Sequence, residues 1–173
     1  MEHCRFLNMD TLNVTIYSIG HSNHTWDRFA ELLRPHEIEL IIDVRSLPHS
    51  RFAPWSNRNQ FEENLNRIDI DYVWKGDSLG GMPRGSGRST GKHDRSADDW
   101  YQTRSSAPDF LAAIVEVSRL AAGKRSAVVC SEGDPSHCHR TLLLAPALVN
   151  LGVEIRHIHP KILGVTFSTA FNL

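Results

Sequence analysis

The sequence is short of the features that settle a protein class at once. Its 173 residues hold three cysteines, Cys4, Cys130 and Cys138. So few thiols at uneven spacing exclude the disulfide framework of a small secreted domain and fit a reducing compartment. No apolar run approaches the roughly 20 residues that span a bilayer. The opening MEHCRFLNMDTLN also lacks the apolar core of a signal peptide. The expectation is a cytoplasmic chain with no membrane partner. Excess charge is missing too: a formal net charge of −1 gives no bulk attraction to nucleic acid, which leaves a local basic patch as the only route to such a partner. Internal repeats and a linker between two cores are absent. The length suits one domain, read as residues 13–165, with an N-terminal extension over 1–12 and a tail over 166–173.

What is present is an alternation of apolar strands and amphipathic helices. Strands are expected at Val14–Ile19, Glu39–Val44, Asp71–Trp74, Ser126–Cys130 and Val153–Ile158. The first, second and fourth are continuous rather than alternating, as in a parallel sheet covered on both faces. Helices are expected at Trp26–Pro35, capped by Thr25, at Asn57–Ile68 with Phe61, Leu65 and Ile68 inward, and at Pro108–Ala122. The last has Phe110, Leu111, Ile114, Val115 and Val117 on its apolar side. A fourth helix is expected over Cys138–Leu151, with Pro146 as a kink or boundary and Leu142, Leu143 and Leu144 largely inward. This order predicts a single-domain α/β fold, a three-layer sandwich around a mainly parallel, five-stranded Rossmann-like sheet. A strand order such as 3-2-1-4-5 follows from right-handed crossovers. Residues 80–107, rich in Gly, Ser and Arg, have no apolar periodicity and read as a long irregular loop.

Polar clusters recur after the strands: Gly20-His21-Ser22-Asn23, Asp43 with Arg45 and Arg51, Gly80-Gly81 with Arg84, and Cys130 through Thr141. The last is the densest, SEGDPSHCHRT between a strand end and a helical run. In open α/β sheets ligands bind outside the carboxyl ends of strands. There Arg45, Arg51 and Arg140 would hold an anion, with Gly20, Ser22, Asp43, Gly80, Gly81, His139 and Thr141 completing the ligand site. Glu132, His21, Cys130 and Cys138 are the candidates for acid–base or nucleophilic work. Cys138, beside His137, His139 and Arg140 at a helix start, is expected to be partly thiolate. Each cluster also has a plainer reading: Gly20 as a turn, Asp43 with Arg45 as an ion pair, Arg140 as a buried ion pair, and Cys130 as a structural thiol. A metal site of Cys130, Cys138 and His139 with His21 or His137 is a further alternative. The seven-residue gap between the cysteines matches none of the tight ligand pairs of structural zinc modules, so no metal ligand is assigned. Cysteine and arginine also lack the Cys-x5-Arg spacing of tyrosine phosphatases.

These residues resemble the family known as domain of unknown function 488. The matching motifs are Ser18-Ile19-Gly20-His21-Ser22, Asp43-Val44-Arg45-Ser46, Leu79-Gly80-Gly81, Cys130-Ser131-Glu132 and Cys138-His139-Arg140, over residues 14–160. The resemblance implies a small cytoplasmic α/β protein of bacteria or archaea and does not itself supply a reaction. The leading expectation is an enzyme, a hydrolase or transferase, acting on a phosphate-bearing or anionic substrate such as a nucleotide or nucleic-acid component. The alternatives are a nucleotide or nucleic-acid binding module without catalysis, and a metal or thiol redox site at Cys130 and Cys138. Cofactor and oligomeric state are left open.

Overall fold

The computed structural model describes residues 14–81, 95–136 and 138–159. The extension over 1–12, the tail over 166–173, Cys4, Arg84 and His137 lie outside the described residues. The elements run β1 (Val14–Gly20), α1 (Trp26–Leu33), β2 (Leu40–Asp43), α2 (Arg58–Asn66), β3 (Asp71–Trp74), α3 (Gly76–Leu79), α4 (Arg95–Ser105), α5 (Pro108–Gly123), β4 (Ser126–Cys130), α6 (Ala145–Val149) and β5 (Val153–His157). Among the described residues no helix is long and apolar enough to cross a membrane.

All strands are parallel, and their order is β3-β2-β4-β1-β5. The five-stranded parallel sandwich is as expected, but β1 and β4 exchange places relative to the 3-2-1-4-5 order. Local periodicity reports that a strand is buried, not which strand it pairs with. The burial gradient explains the outcome. β4 is buried at every position and takes the centre, while β5 alternates, with Glu154 and Arg156 half-exposed at one edge. β3, whose Asp71 is exposed, forms the other edge.

Successive strand residues face opposite sides. Tyr17, Ile19, Ile41, Ala127 and Val129 pack with Phe29 and Leu33 of α1 and Phe61 and Leu65 of α2. Ile16, Ile42 and Val128 pack on the other face with Phe110, Ile114 and Val117 of α5 and Leu148 of α6. Helices α1 and α2 follow strands that step one way along the sheet. Helices α5 and α6 follow strands that step back. Right-handed crossovers therefore put the two pairs on opposite faces. Thr25 caps α1, its hydroxyl accepting from the Arg28 N–H.

Four inward assignments are corrected. Ile68 is exposed because α2 stops at Asn66, so Ile68 is off the helical stripe. Leu111 and Val115 are exposed because the buried stripe of α5 is narrow, occupied by Phe110, Ala113, Ile114 and Val117. Leu142 is exposed because Arg140–Leu144 winds as a π-turn rather than as the first turns of an α-helix. Pro146, which has no N–H to offer Leu142, sits just beyond it, in the first turn of α6. The stretch 80–107 is also not wholly irregular, since it contains α4. Trp100 and Tyr101 of α4 pack against the α5 and α6 core. Arg104 anchors the helix end by donating to both Asp109 carboxylate oxygens, at 2.9 and 2.6 Å, and to the Ser78 carbonyl at 2.5 Å.

Candidate active site

The carboxyl ends of β1 and β4 are stitched together past the last ladder pair. The His21 N–H donates to the Cys130 carbonyl at 2.9 Å, and the Ser22 N–H to the Ser131 carbonyl at 3.0 Å. A Cβ at position 20 would overlap the Glu132 carbonyl, so Gly20 is required by the approach of that turn. Ser22 turns the chain with φ 49°.

Beyond this seam four side chains converge. The Cys130 and Cys138 sulfurs, a Glu132 carboxylate oxygen and a His139 ring nitrogen all lie within 4.8 Å of one another. Cys130, Cys138 and His139 are buried, and Glu132 is exposed. Nε2 of His139 lies 3.2 Å from the Val44 carbonyl, which can only accept, so Nε2 carries the proton. Nδ1 then turns its lone pair to the sulfurs, 3.5 Å from Cys130 and 3.7 Å from Cys138. Gly81 backs this ring, since a Cβ there would press on Nδ1. The Cys130 thiol donates to the Glu132 carboxylate, and Cys138 Sγ lies 3.5 Å from the same oxygen.

Burial pushes the Glu132 carboxyl up, but hydrogen bonds from the Cys130 thiol and the backbone outweigh it, and the group sits below its ordinary value. Cys138 goes the other way from its expected thiolate character. A hydrogen bond shared with Cys130 and then burial push its thiol well up, outweighing His139 and the Arg140 charge. Helix-end assistance fails as well, because the chain leaves Cys138 in a π-turn.

Both buried arginines are engaged within the protein. Arg45 forks onto Asp43, with Nε to Oδ1 at 2.8 Å and Nη2 to Oδ2 at 2.6 Å, and also donates to the Ser56 hydroxyl and carbonyl at 3.2 and 2.8 Å. The Tyr72 hydroxyl donates to Asp43 at 2.8 Å, and the Arg45 guanidinium lies over Phe61 at 5.4 Å. Asp43 and Arg45 are therefore the ion pair of the plainer reading, on the α1 and α2 face. Asp43 pairs with Val129, which faces that side, while Cys130 is one residue further and turns to the other. Arg140, 1% exposed, donates to Cys138 Sγ at 3.2 Å, to the Ser18 hydroxyl at 3.2 Å and to the Glu132 carbonyl at 2.5 Å.

The other expected residues are dispersed. Arg51 is exposed and stacks on Phe52 at 4.6 Å. Thr141 meets His157 Nε2 at 3.3 Å, and Gly80 is pressed against Ser46. His21 packs edge-on to Trp55 at 5.9 Å, and its Nδ1–H donates to the Ser22 carbonyl at 2.8 Å. Its Nε2 is buried without a partner in the protein. Burial, and next the Arg45 charge, lower its pKa to about 4, so the ring is neutral at neutral pH.

Tyr101 escapes the sequence reading. Burial raises its pKa first, followed by electrostatic repulsion from the Cys138, Glu132 and Cys130 side chains. The available signal was Trp100-Tyr101, the only aromatic pair in the polar stretch 80–107.

No curated protein and no solved structure matches the chain. A family model does, over residues 25–146, which takes in β2, β4 and every member of the cluster. The chain belongs to the family described as Domain of unknown function DUF488.

Proposed function

We propose that the chain is an enzyme whose reaction runs at Cys130, Glu132, Cys138 and His139, with Glu132 handling the proton. One observation carries this reading: a buried cluster of thiols and imidazole reaches solvent through a single carboxylate. Buried polar groups of this kind weaken a core and are retained where they do chemistry. Glu132, held below the ordinary carboxylate value, is ionised at neutral pH and acts as the base. It would take the proton from a water or a substrate hydroxyl as that oxygen attacks an electrophilic centre, and return it to the departing group as the bond to that group breaks, giving hydrolysis or group transfer. With Arg45 and Arg140 engaged internally, a phosphate-bearing substrate would need another cation, so the reading favours a small electrophile over a clamped anion.

The test is a panel of carboxylic esters, amides, phosphate monoesters and nucleotides against the wild-type chain and Glu132→Gln. Turnover of one class should fall by about 10²–10⁴-fold in Glu132→Gln at an unchanged melting temperature. Equal rates in the two proteins, or no wild-type turnover above buffer, would overturn the reading.

A further inference from the structure

We infer that the cluster is a tetrahedral site for one divalent transition-metal ion of the zinc class, ligated by Cys130 Sγ, Cys138 Sγ, His139 Nδ1 and a Glu132 carboxylate oxygen. This inference rests on the proposed enzyme site and names its cofactor.

The first support is metric. A tetrahedron with metal–sulfur bonds of about 2.3 Å and metal–nitrogen or metal–oxygen bonds of about 2.0–2.2 Å has edges of about 3.5–3.8 Å at sulfur and about 3.3–3.6 Å between nitrogen and oxygen. The Cys130–His139, Cys138–His139 and Cys138–Glu132 separations are 3.5, 3.7 and 3.5 Å; the Cys130–Glu132 contact is much shorter, a thiol hydrogen bond that must open as an ion replaces the thiol proton. The second is orientation. The Val44 carbonyl fixes the proton of His139 on Nε2, so Nδ1 can only accept or ligate, and the missing Cβ of Gly81 leaves space beside that nitrogen. Metal-bound histidines are held by such a bond from their other nitrogen.

The third support is charge and is independent of the distances. Arg140 is a buried cation with no carboxylate at ion-pair distance among the described residues, and one of its three bonds goes to sulfur. An uncompensated buried guanidinium is costly. Two thiolates, one carboxylate and a divalent ion sum to one negative charge, the same charge the Glu132 carboxylate alone carries before binding, so Arg140 stays balanced when the ion enters. Binding sends the two thiol protons to solvent, so the site fills without burying net charge.

The donor set also selects the ion. Two thiolates and an imidazole suit zinc, cobalt or ferrous iron and not magnesium or calcium. Three ligands are buried and Glu132 is exposed, so Glu132 is the ligand that water or substrate can replace, and once displaced its carboxylate is free to take the proton. When bound, such an ion acts as a Lewis acid and lowers the pKa of a bound water. The spacing that argued against a structural zinc module in the sequence does not oppose this site. Cys130 ends β4, while Cys138 and His139 return beside it after the turn, so the fold supplies the proximity that a short ligand pair would otherwise provide.

The experiment uses the full chain, stripped with chelator under reducing conditions and titrated with Co²⁺ alone. One equivalent should bind, with a sulfur-to-cobalt charge-transfer band and the intense visible absorption of tetrahedral cobalt. Cys138→Ser should weaken binding by more than the ~10–100-fold typical of an outer-shell loss. Glu132→Gln, a change at an exposed position, should keep the sulfur band at reduced affinity. A weak octahedral spectrum with no sulfur band in the wild-type chain would overturn the inference, and so would wild-type affinity in a folded Cys138→Ser. Because the wild-type titration decides alone, misfolding of Cys138→Ser does not shield the inference. Loss of turnover in Glu132→Gln without a sulfur band would overturn the metal and leave the enzyme reading standing. A sulfur band with equal turnover in the two proteins would do the reverse.

Discussion

Replacing Arg140 separates a ligand-binding guanidinium from a structural one. The side chain is 1% exposed and makes three bonds, to Cys138, Ser18 and the Glu132 carbonyl. Each charge-assisted bond is worth about 1.5–3 kcal/mol. They share one group and do not add fully, so truncation should cost about 3–5 kcal/mol, as for one partner of a buried charged network. For a chain of this size each kcal/mol moves the melting temperature by about 2–4 °C, so Arg140→Ala should melt about 6–20 °C lower. The melt is run in chelator so that no bound ion contributes. Arg140→Lys should recover only a minor part, because an ammonium cannot reach Ser18, Cys138 and the Glu132 carbonyl from one position. A melt within about 2 °C of wild type, together with lost affinity for inorganic phosphate or a nucleotide, would refute the reasoning and return the guanidinium to an anion site.

Three further outcomes are expected. Gly20→Ala should cost several kcal/mol, on the order of a severe steric defect, because the new methyl would strike the Glu132 carbonyl; denaturant melts would show it. Stability should fall as pH drops from 6.5 to about 4, because the unfolded chain protonates His21 there and the folded chain does not. That shift is worth about 3 kcal/mol, fully present above pH 6.5, and His21→Asn should remove about half of the acid limb of a urea-midpoint profile, since buried His157 is lowered to about 4 as well. Asp43→Asn should cost about 3–5 kcal/mol by leaving Arg45 buried without its carboxylate. It should leave Co²⁺ binding at the thiol cluster unchanged, since it lies on the other face; a parallel loss of the sulfur band would contradict that separation.

The sequence was most legible where burial and turn chemistry act locally. Strands Asp71–Trp74 and Ser126–Cys130 have the expected bounds, and Thr25 caps α1. The turn from Cys130 to Arg140 stood out because polar groups interrupt two apolar runs. What could not be read depends on partners far along the chain. The place of β4 between β2 and β1 follows from pairing, and that register puts Asp43 beside Val129 and so one residue away from the side of Cys130. A single step along a strand reverses the face. It also separates Arg45 from Arg140, two arginines that looked interchangeable as anion ligands. Cys138 failed for a related reason: its titration is governed by Cys130, eight positions earlier, more than by its cationic neighbours. Helix α4 was hidden by composition, because a Gly- and Ser-rich approach masks a helix held mainly by Trp100, Tyr101 and Arg104.

The seat of Gly20 under the Glu132 carbonyl limits how parts of this chain can be exchanged. The turns at 20–22 and 131–133 fit each other through backbone, with Gly133 also facing the Ser22 hydroxyl. A graft that brings in one turn from a relative and keeps the other would misalign Glu132 even if every named residue were retained. Chimeras that move both turns together should fold and keep the carboxylate on its pivot. The structural unit at this edge is the matched pair of turns, not the single motif.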